Sequence, residues 1–286
     1  MFRKPTRAAH PSQRRIPQLA ACCALLWLLA VLGAARAAEP TADWWSAIRR
    51  DDVSAVQTML LRGTDPSAVN TLGNPALTQA ARDQSWKVFD LLRIARGVGI
   101  DQPNAYDETP LMYLCILGQT ERARELIDAG AQVNRLGWTP LHYAASKARL
   151  DTARLLIQRG AIVNAPGPDG TTPLMMAALS GNEDMVRLLL EHGADAAMFN
   201  TARETAADWA LRGKHTALAA KLEALGREVE QRRRGGAAPA ASAPAGSAPA
   251  ASAAPSAQAP KPQDEDQSSF SRYFDPDRVE DTPPGQ

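Results

Sequence analysis

The side chains that most often carry chemistry are few in this sequence and lie far apart. After residue 37 the histidines are His142, His192 and His215, and none has a histidine or cysteine at the i, i+4 spacing that metal sites favour. No motif arranges a histidine and an aspartate around Ser146 or Ser180, and no Gly-x-x-x-x-Gly-Lys loop is present to bind a phosphate. The pattern predicts neither a catalytic site nor a bound metal or cofactor.

Two acidic pairs and one cysteine each have a structural and a chemical interpretation. The Asp-Asp pair at 51–52 and the Glu-Asp pair at 183–184 are either first-turn acids that stabilise a helix or acid–base pairs. Cys115, the sole cysteine after residue 37, is either a small buried residue between helices or a reactive thiol. The choice depends on the elements that position these residues.

Residues 139–145, Thr-Pro-Leu-His-Tyr-Ala-Ala, have the sequence of a capped helix. Thr139 can accept a backbone N–H at the helix start, the proline after it needs no N–H there, and His142 can share a hydrogen bond with the Thr139 hydroxyl. The two alanines let a second helix, near residues 151–158, lie close against the first. Gly160 ends the second helix because glycine adopts a left-handed conformation without a Cβ clash. The stretch therefore predicts one helix-turn-helix unit.

The same unit recurs along the chain. Leu111, Leu141 and Leu174 each follow a Thr-Pro pair, and they are 30 and 33 residues apart. Weaker copies begin near Trp44 and Leu77, and one more follows the strong copies, which makes six units. Degenerate outer units are expected of a solenoid, because a terminal unit has a neighbour on one side only.

The signature Thr-Pro-Leu-His-x-Ala and its recurrence resemble the ankyrin repeat. The resemblance implies an all-α solenoid of about six helix-turn-helix units with short finger loops, which are the loops that connect one unit to the next. It extends to the periplasmic ankyrin-repeat proteins of Gram-negative bacteria. The predicted ankyrin-repeat domain spans residues 41–226, with units near 41–72, 73–106, 107–136, 137–168, 169–202 and 203–226.

Departures from the repeat predict irregular local structure. The spans from Asn134 to Pro140 and from Asn104 to Pro110 are three residues shorter than the span from Asn164 to Pro173, so the finger loops should be unequal in length. The second unit runs longer than the others, which predicts an irregular exit from it. Ala148 stands where other units have glycine, at a cost of up to about 1 kcal/mol if the left-handed conformation is kept.

The resemblance also implies where a partner binds. Ankyrin arrays bind other proteins with the tips of the finger loops and the exposed side of the first helices, which together form a concave surface. Trp138 and Tyr106 stand out because large aromatics often anchor interfaces, although Trp138 can instead fold back over a neighbouring finger loop. The predicted contact residues of the array are Tyr106, Glu108, Ile116, Leu136, Trp138, Ser146, Lys147, Asp169, Thr171 and Ser180.

Residues 1–37 have the pattern of a secretory signal peptide, with a basic start, an apolar run at 19–33 and Ala-Arg-Ala before the cleavage point. The alternative is an uncleaved anchor, but the run is shorter than the roughly 20 residues that span a bilayer. Cleavage predicts a periplasmic or secreted protein without membrane insertion. The remaining chain has 26 basic and 31 acidic residues, and this negative balance gives no reason to expect nucleic acid as a partner.

The chain ends in two segments of biased composition. Residues 227–262 are rich in alanine, proline and serine and predict a disordered linker that cannot bury a core. Residues 263–286 form an acidic tail that also contains Phe270, Tyr273 and Phe274. The aromatic residues indicate a short linear motif that orders on binding a partner, and the alternative is an inert terminus.

Together these features predict a non-enzymatic protein–protein interaction module. In this interpretation the chain is an exported, monomeric ankyrin scaffold that binds another protein on its concave face. The alternative is a regulatory or inhibitory subunit of an exported enzyme, which the sequence does not distinguish from a scaffold.

Overall fold

A computed structural model describes residues 41–236, and this part of the chain consists of six successive pairs of α-helices. The helix pairs confirm the predicted all-α solenoid. The predicted signal peptide and acidic tail lie outside the described residues. Within 41–236 no helix has the length and apolarity needed to cross a membrane. The helices are α1 Ala42–Arg49, α2 Val53–Leu61, α3 Ala76–Arg82, α4 Trp86–Leu92, α5 Pro110–Leu117, α6 Thr120–Asp128, α7 Pro140–Ser146, α8 Leu150–Gln158, α9 Pro173–Ser180, α10 Glu183–Glu191, α11 Ala206–Arg212 and α12 Thr216–Gly236.

The three central first helices begin at Thr-Pro pairs. Thr109, Thr139 and Thr172 are N-cap residues with φ between −111° and −99°, and the proline after each is the first helical residue. These helices have only seven or eight residues. Isolated helices of that length are marginal in water, so packing against neighbouring units must supply most of their stability.

The core lies between the layer of first helices and the layer of second helices. Each first helix packs against the first helices of the neighbouring units. Leu77, Leu111, Leu141 and Leu174 are at most 1% exposed in this core, and burying one leucine side chain contributes about 1.5–3 kcal/mol. Cys115 is fully buried among them, and burial raises the pKa of its thiol. The interpretation of Cys115 as a small buried residue is thus confirmed.

One residue between the two helices of every unit has a left-handed backbone. Glycine occupies this position in the third and fifth units, but Ala148 occupies it in the fourth with φ of 52°, as the sequence predicts. At this position in the first unit, Asp51 also joins two units, because its carboxylate accepts the N–H of Val88 in the next unit at 2.8 Å. The six residues at this position are Asp51, Gln84, Gly118, Ala148, Gly181 and Lys214.

Replacing Ala148 with glycine is expected to stabilise the array by about 0.5–1 kcal/mol. The change relieves about 1–2 kcal/mol of left-handed strain, and the greater freedom of glycine in the unfolded chain offsets about 0.4–1 kcal/mol of that gain. Urea unfolding of the variant measures the difference. The reverse change at the equivalent position, Gly118→Ala, should lower the free energy of unfolding. A loss of stability in Ala148→Gly would contradict the strain argument.

Four of the five finger loops end in the same tip turn. In residues 70–74, 104–108, 167–171 and 200–204, the N–H of the first residue donates to the carbonyl of the fifth at 2.7–3.0 Å. The finger loop at residues 134–138 has no such turn, and we call it the short finger. Unequal finger loops are therefore confirmed, but only one of the two loops predicted to be short is short.

The loop before Pro110 has the full length because Asp101 takes the place that Asn164 has in the fourth unit. Asp101 accepts the N–H of Gln132 in the next unit at 3.0 Å, and the Asn164 side chain accepts the N–H of Asp195 at 2.9 Å. A carboxylate oxygen and an amide oxygen accept an N–H equally well. The residue types alone therefore do not show that Asp101 is equivalent to Asn164.

The last helix continues past the predicted end of the array. Gly226 stands in register with Gly130, Gly160 and Gly193, which have φ between 83° and 106° and end their helices, but Gly226 is helical. The prediction that residues 227–236 belong to the linker is therefore wrong. Three Glu–Arg pairs with i, i+4 spacing stabilise this extension by about 0.2–0.5 kcal/mol each.

Candidate partner-binding surface

The predicted contact residues fall into accessible and buried groups. Leu136 at the tip of the short finger is 94% exposed, and Tyr106 on the neighbouring finger loop is 42% exposed. Lys147 and Ser180 are exposed at the ends of α7 and α9. Ser146, Trp138 and Asp169 are half-buried. The predicted tail residues Phe270, Tyr273 and Phe274 lie outside the described residues.

Three of the predicted contact residues are buried, so the prediction is wrong for them. Glu108 and Ile116 are each 8% exposed, and Thr171 is fully buried. Glu108 and Thr171 directly precede an N-cap threonine, where the chain turns from the finger loop into the helix and directs these residues inward. Ile116 packs with the hydrophobic core. A partner cannot reach these side chains without rearrangement of the array.

The carboxylate of Glu108 accepts hydrogen bonds from three side chains. Tyr113 donates its hydroxyl proton to Oε2 at 2.7 Å, Tyr143 of the next unit donates to Oε1 at 3.1 Å, and Asn104 donates to Oε2 at 2.9 Å. Burial and the adjacent carboxylate raise the pKa of Tyr143 well above its ordinary value. These hydrogen bonds tie the third unit to the fourth, and they satisfy the buried carboxylate of Glu108.

His142 joins the fourth unit to the fifth. Its Nδ1 lies 3.1 Å from the N–H of Thr139 and 2.9 Å from the Thr139 hydroxyl, which confirms the predicted contact. Its Nε2 lies 3.0 Å from the carbonyl oxygen of Thr171. Because an N–H can only donate and a carbonyl can only accept, the neutral ring with its proton on Nε2 satisfies both partners. Burial lowers the pKa of His142 to about 4, against the smaller opposing effect of the Thr171 carbonyl.

Trp138 fills space beside the short finger. Its ring meets the His142 ring edge to face at a centroid distance of 5.1 Å, and it packs so close to Gly167 that a Cβ there would lie 3.0 Å from the indole. On the other side of the short finger, Arg135 donates to the carbonyl and carboxylate of Asp107. Of the two interpretations of Trp138, the structure supports folding back over the neighbouring finger loop.

The other histidines also have structural positions. His192 lies at the end of α10, where its Nδ1 is 2.8 Å from the carbonyl oxygen of Leu188. His215 begins the turn into α12, with its ring packed against Gly181. Between residues 41 and 236 no group of three or more histidine, cysteine or acidic side chains is arranged to hold a metal ion.

The exposed ends of the first helices form a row with a distinct charge pattern, which sequence reasoning missed because the charges align only when the units are in register. At the positions equivalent to Ile116 and Leu117, the first, second and sixth units have arginine, the fourth has Lys147, and the third and fifth are apolar or neutral. Asp83 is the acid in this row, and burial raises the pKa of its carboxyl against the hydrogen bond from Gln79. The basic residues of the row are Arg49, Arg50, Arg82, Lys147 and Arg212.

Comparison with known families decides what this architecture is. The family described as ankyrin repeats in three copies matches residues 84–167 and 162–232, which together cover more than half of the chain. The chain belongs to the ankyrin-repeat family. Ankyrin repeats are protein–protein interaction modules, and the family in general consists of non-enzymatic scaffolds. A search of curated proteins finds no match to this chain.

Proposed function

We propose that this ankyrin array is an exported scaffold that binds one acidic segment of a partner protein on its concave surface. The observation that carries the proposal is the row of basic side chains on the first helices. Arg49, Arg82 and Arg212 lie at the position equivalent to Ile116 in three units, and Lys147 lies at the position equivalent to Leu117 in a fourth. Asp83 is the acidic residue of this row. A row of one sign of charge attracts a segment of the opposite sign and increases its rate of association.

The finger loops supply the apolar part of the proposed interface. Leu136 and Tyr106 are exposed on neighbouring finger loops, above the central first helices where Leu117 and Leu179 are half-buried. Apolar residues at the centre of a contact with charged residues at its margins are typical of protein interfaces. The partner segment should therefore present apolar residues between acidic ones.

Export is part of the same proposal and is supported by the signal-peptide pattern of residues 1–37. The proposed mature chain begins near residue 38, with the array at 41–236 and the tail beyond it. A periplasmic or secreted location restricts the partner to exported proteins or to the exported parts of membrane proteins.

Acidic substitutions on the concave surface are expected to weaken the capture of the partner protein. The variants Lys147→Glu and Leu136→Asp each remove one exposed contact, and each should lower the affinity for the captured protein by about tenfold or more. Capture from the exported fraction, followed by mass spectrometry and measurement of Kd for the identified protein, tests this. Neither variant should change the free energy of unfolding by more than about 0.5 kcal/mol.

Matched controls place the same chemical changes elsewhere on the array. Arg154→Glu reverses a charge on the second helix α8, where the side chain is 52% exposed. Leu61→Asp changes a leucine that is 83% exposed at the end of α2. If the controls lose partner capture to the same extent, the interface does not lie on the concave surface. The same conclusion follows if Lys147→Glu and Leu136→Asp still capture the partner. Assay of a captured enzyme with and without the array separates a scaffold from an inhibitory subunit.

A further inference from the structure

A groove of about 490 Å³ lies at the C-terminal end of the array, between the last finger loop and α12. We call it the end groove. Its floor is made by small residues where α12 approaches the finger loop closely, since a Cβ at Gly226 would lie 3.2 Å from the carbonyl oxygen of Ala196. Its walls combine the apolar side chains of Ala197, Phe199 and Leu222 with charged side chains of both signs. Arg227 pairs with Glu223 and Arg234 pairs with Glu230, so Arg203 is the basic side chain of the lining that no acidic residue of the groove neutralises.

The helical extension of α12 creates this groove. In four of the five units before it, the second helix ends at a left-handed glycine and the chain turns into the next finger loop. In the last unit the helix continues through Gly226 to Gly236, and Arg233 forms an ion pair with Asp195 at the base of the finger loop. The extension thus builds one wall of the end groove and is fixed to the opposite side.

Phe199 and Arg203 form a paired contact point at the groove. Phe199 is 51% exposed, and the guanidinium of Arg203 stacks on its ring at 4.3 Å from the centroid. Arg203 forms no ion pair with any residue of the described range 41–236. Its φ is 64°, whereas Gly73 and Gly170 occupy the equivalent position in other finger loops. Holding an arginine there costs about 1–2 kcal/mol.

We propose that the end groove binds the acidic aromatic segment 268–281 of this same chain. The segment contains Phe270, Tyr273 and Phe274, with Asp275 directly after the last ring and three further acids by residue 281. Residues 41–236 have 23 basic and 23 acidic side chains, whereas residues 237–286 have three basic and seven acidic ones. A ring of the segment packs beside Phe199, and the carboxylate of Asp275 pairs with the exposed edge of the Arg203 guanidinium.

The length of chain between the helix and the segment favours binding within one molecule. Residues 237–269 number 33 and are mostly alanine, proline and serine, which gives a root-mean-square reach of about 30 Å or more. Gly226 on the groove floor lies about 15 Å from Gly236 along the helix axis. Because the linker spans this distance easily, the local concentration of the segment at the groove is on the order of millimolar.

Binding at this place would cover the last unit and leave the concave surface open. The last unit exposes a face that has no neighbouring repeat among the described residues, and a docked segment takes the place of that neighbour. The proposal is independent of partner binding on the concave surface, and either can fail without the other.

Amide hydrogen exchange of the full chain, read by mass spectrometry on peptides that cover residues 268–281, tests the proposal. The amides of this segment should exchange about tenfold or more slowly than in a random coil, which corresponds to a docked fraction of about 90%. The variant Arg203→Gly should abolish the protection without unfolding the array, because glycine suits the left-handed backbone. The tail variant Phe270→Ala/Phe274→Ala should also abolish it.

Asp107→Gly is the matched control for Arg203→Gly, because Asp107 has the equivalent left-handed conformation with φ of 63° in another finger loop. This variant should keep the protection of residues 268–281. Random-coil exchange of the segment in the unmodified chain would overturn the proposal. Protection that disappears on dilution would also overturn it, since it would place the segment in the groove of a second copy. Unchanged protection in Arg203→Gly would exclude the end groove as the binding site.

Discussion

Replacing Glu108 with alanine is expected to lower the free energy of unfolding by about 3–5 kcal/mol, although the sequence pattern gives this residue the position of a surface contact. The change removes the common acceptor of Tyr113, Tyr143 and Asn104 and leaves three buried donors without it. An unsatisfied buried polar group costs about 1–3 kcal/mol, and here the loss is shared between two units. Because a solenoid is stabilised by the interfaces between its units, the array should lose cooperativity near the third and fourth units.

Urea unfolding followed by circular dichroism measures this loss. Glu108→Gln keeps one acceptor oxygen and should be less destabilised than Glu108→Ala. The control is Glu121→Ala, which removes a carboxylate that is 79% exposed and should change stability by no more than about 0.5 kcal/mol. A change below about 1 kcal/mol in Glu108→Ala would mean that water replaces the carboxylate at little cost.

Acidification from pH 6.5 to pH 4 is expected to remove about 3 kcal/mol of stability through His142 alone. The pKa of this group is about 4 in the folded array, below the ordinary value of 6.5. Between pH 6.5 and pH 4 the unfolded chain therefore binds more protons than the folded array. The contribution of neutral His142 to the free energy of unfolding is complete above pH 6.5 and is lost as the pH falls through 4. The physical cause is burial, together with the Thr139 N–H, which needs an unprotonated Nδ1 as its acceptor.

The comparison that isolates this effect is between the unmodified chain and His142→Gln at a series of pH values. Glutamine can accept from the Thr139 N–H and donate to the Thr171 carbonyl without titrating in this range. Acidic side chains are common to both proteins, so their titration cancels in the difference. The stability advantage of the unmodified chain should shrink as the pH falls from 6.5 to 4. An advantage that stays constant across the window would show that His142 does not carry the pH dependence.

The parts of the fold that depend on local rules were predictable from the sequence. Thr-Pro pairs at 109–110, 139–140 and 172–173 mark helix starts because capping and the fixed φ of proline act within one turn. The spacing of Leu111, Leu141 and Leu174 predicts the stacking because each unit buries the same face. These features required no knowledge of which residues meet across the units.

The parts that depend on contacts between units were not predictable. Glu108 has the sequence position of an exposed finger residue and is buried because Tyr143 reaches it from the next unit. Asp101 is in register with Asn164 because of the N–H it accepts from the following unit, which its residue type does not reveal. Gly226 has the position of a helix end and lies inside a helix, since no finger loop follows it in the described range.

The short finger changes how the finger loops are connected along the array. A backbone hydrogen bond from Ala105 to Gly73 joins the first two finger loops at 3.2 Å, and one from Thr201 to Asp169 joins the last two at 2.8 Å. Within residues 41–236 no backbone hydrogen bond joins the short finger to either neighbour. Side chains make these connections instead, since Arg135 donates to Asp107 on one side and Trp138 packs against Gly167 on the other. The row of finger loops is therefore continuous through backbone hydrogen bonds at its two ends and through side chains at the short finger, where its connection depends on the identity of Arg135 and Trp138.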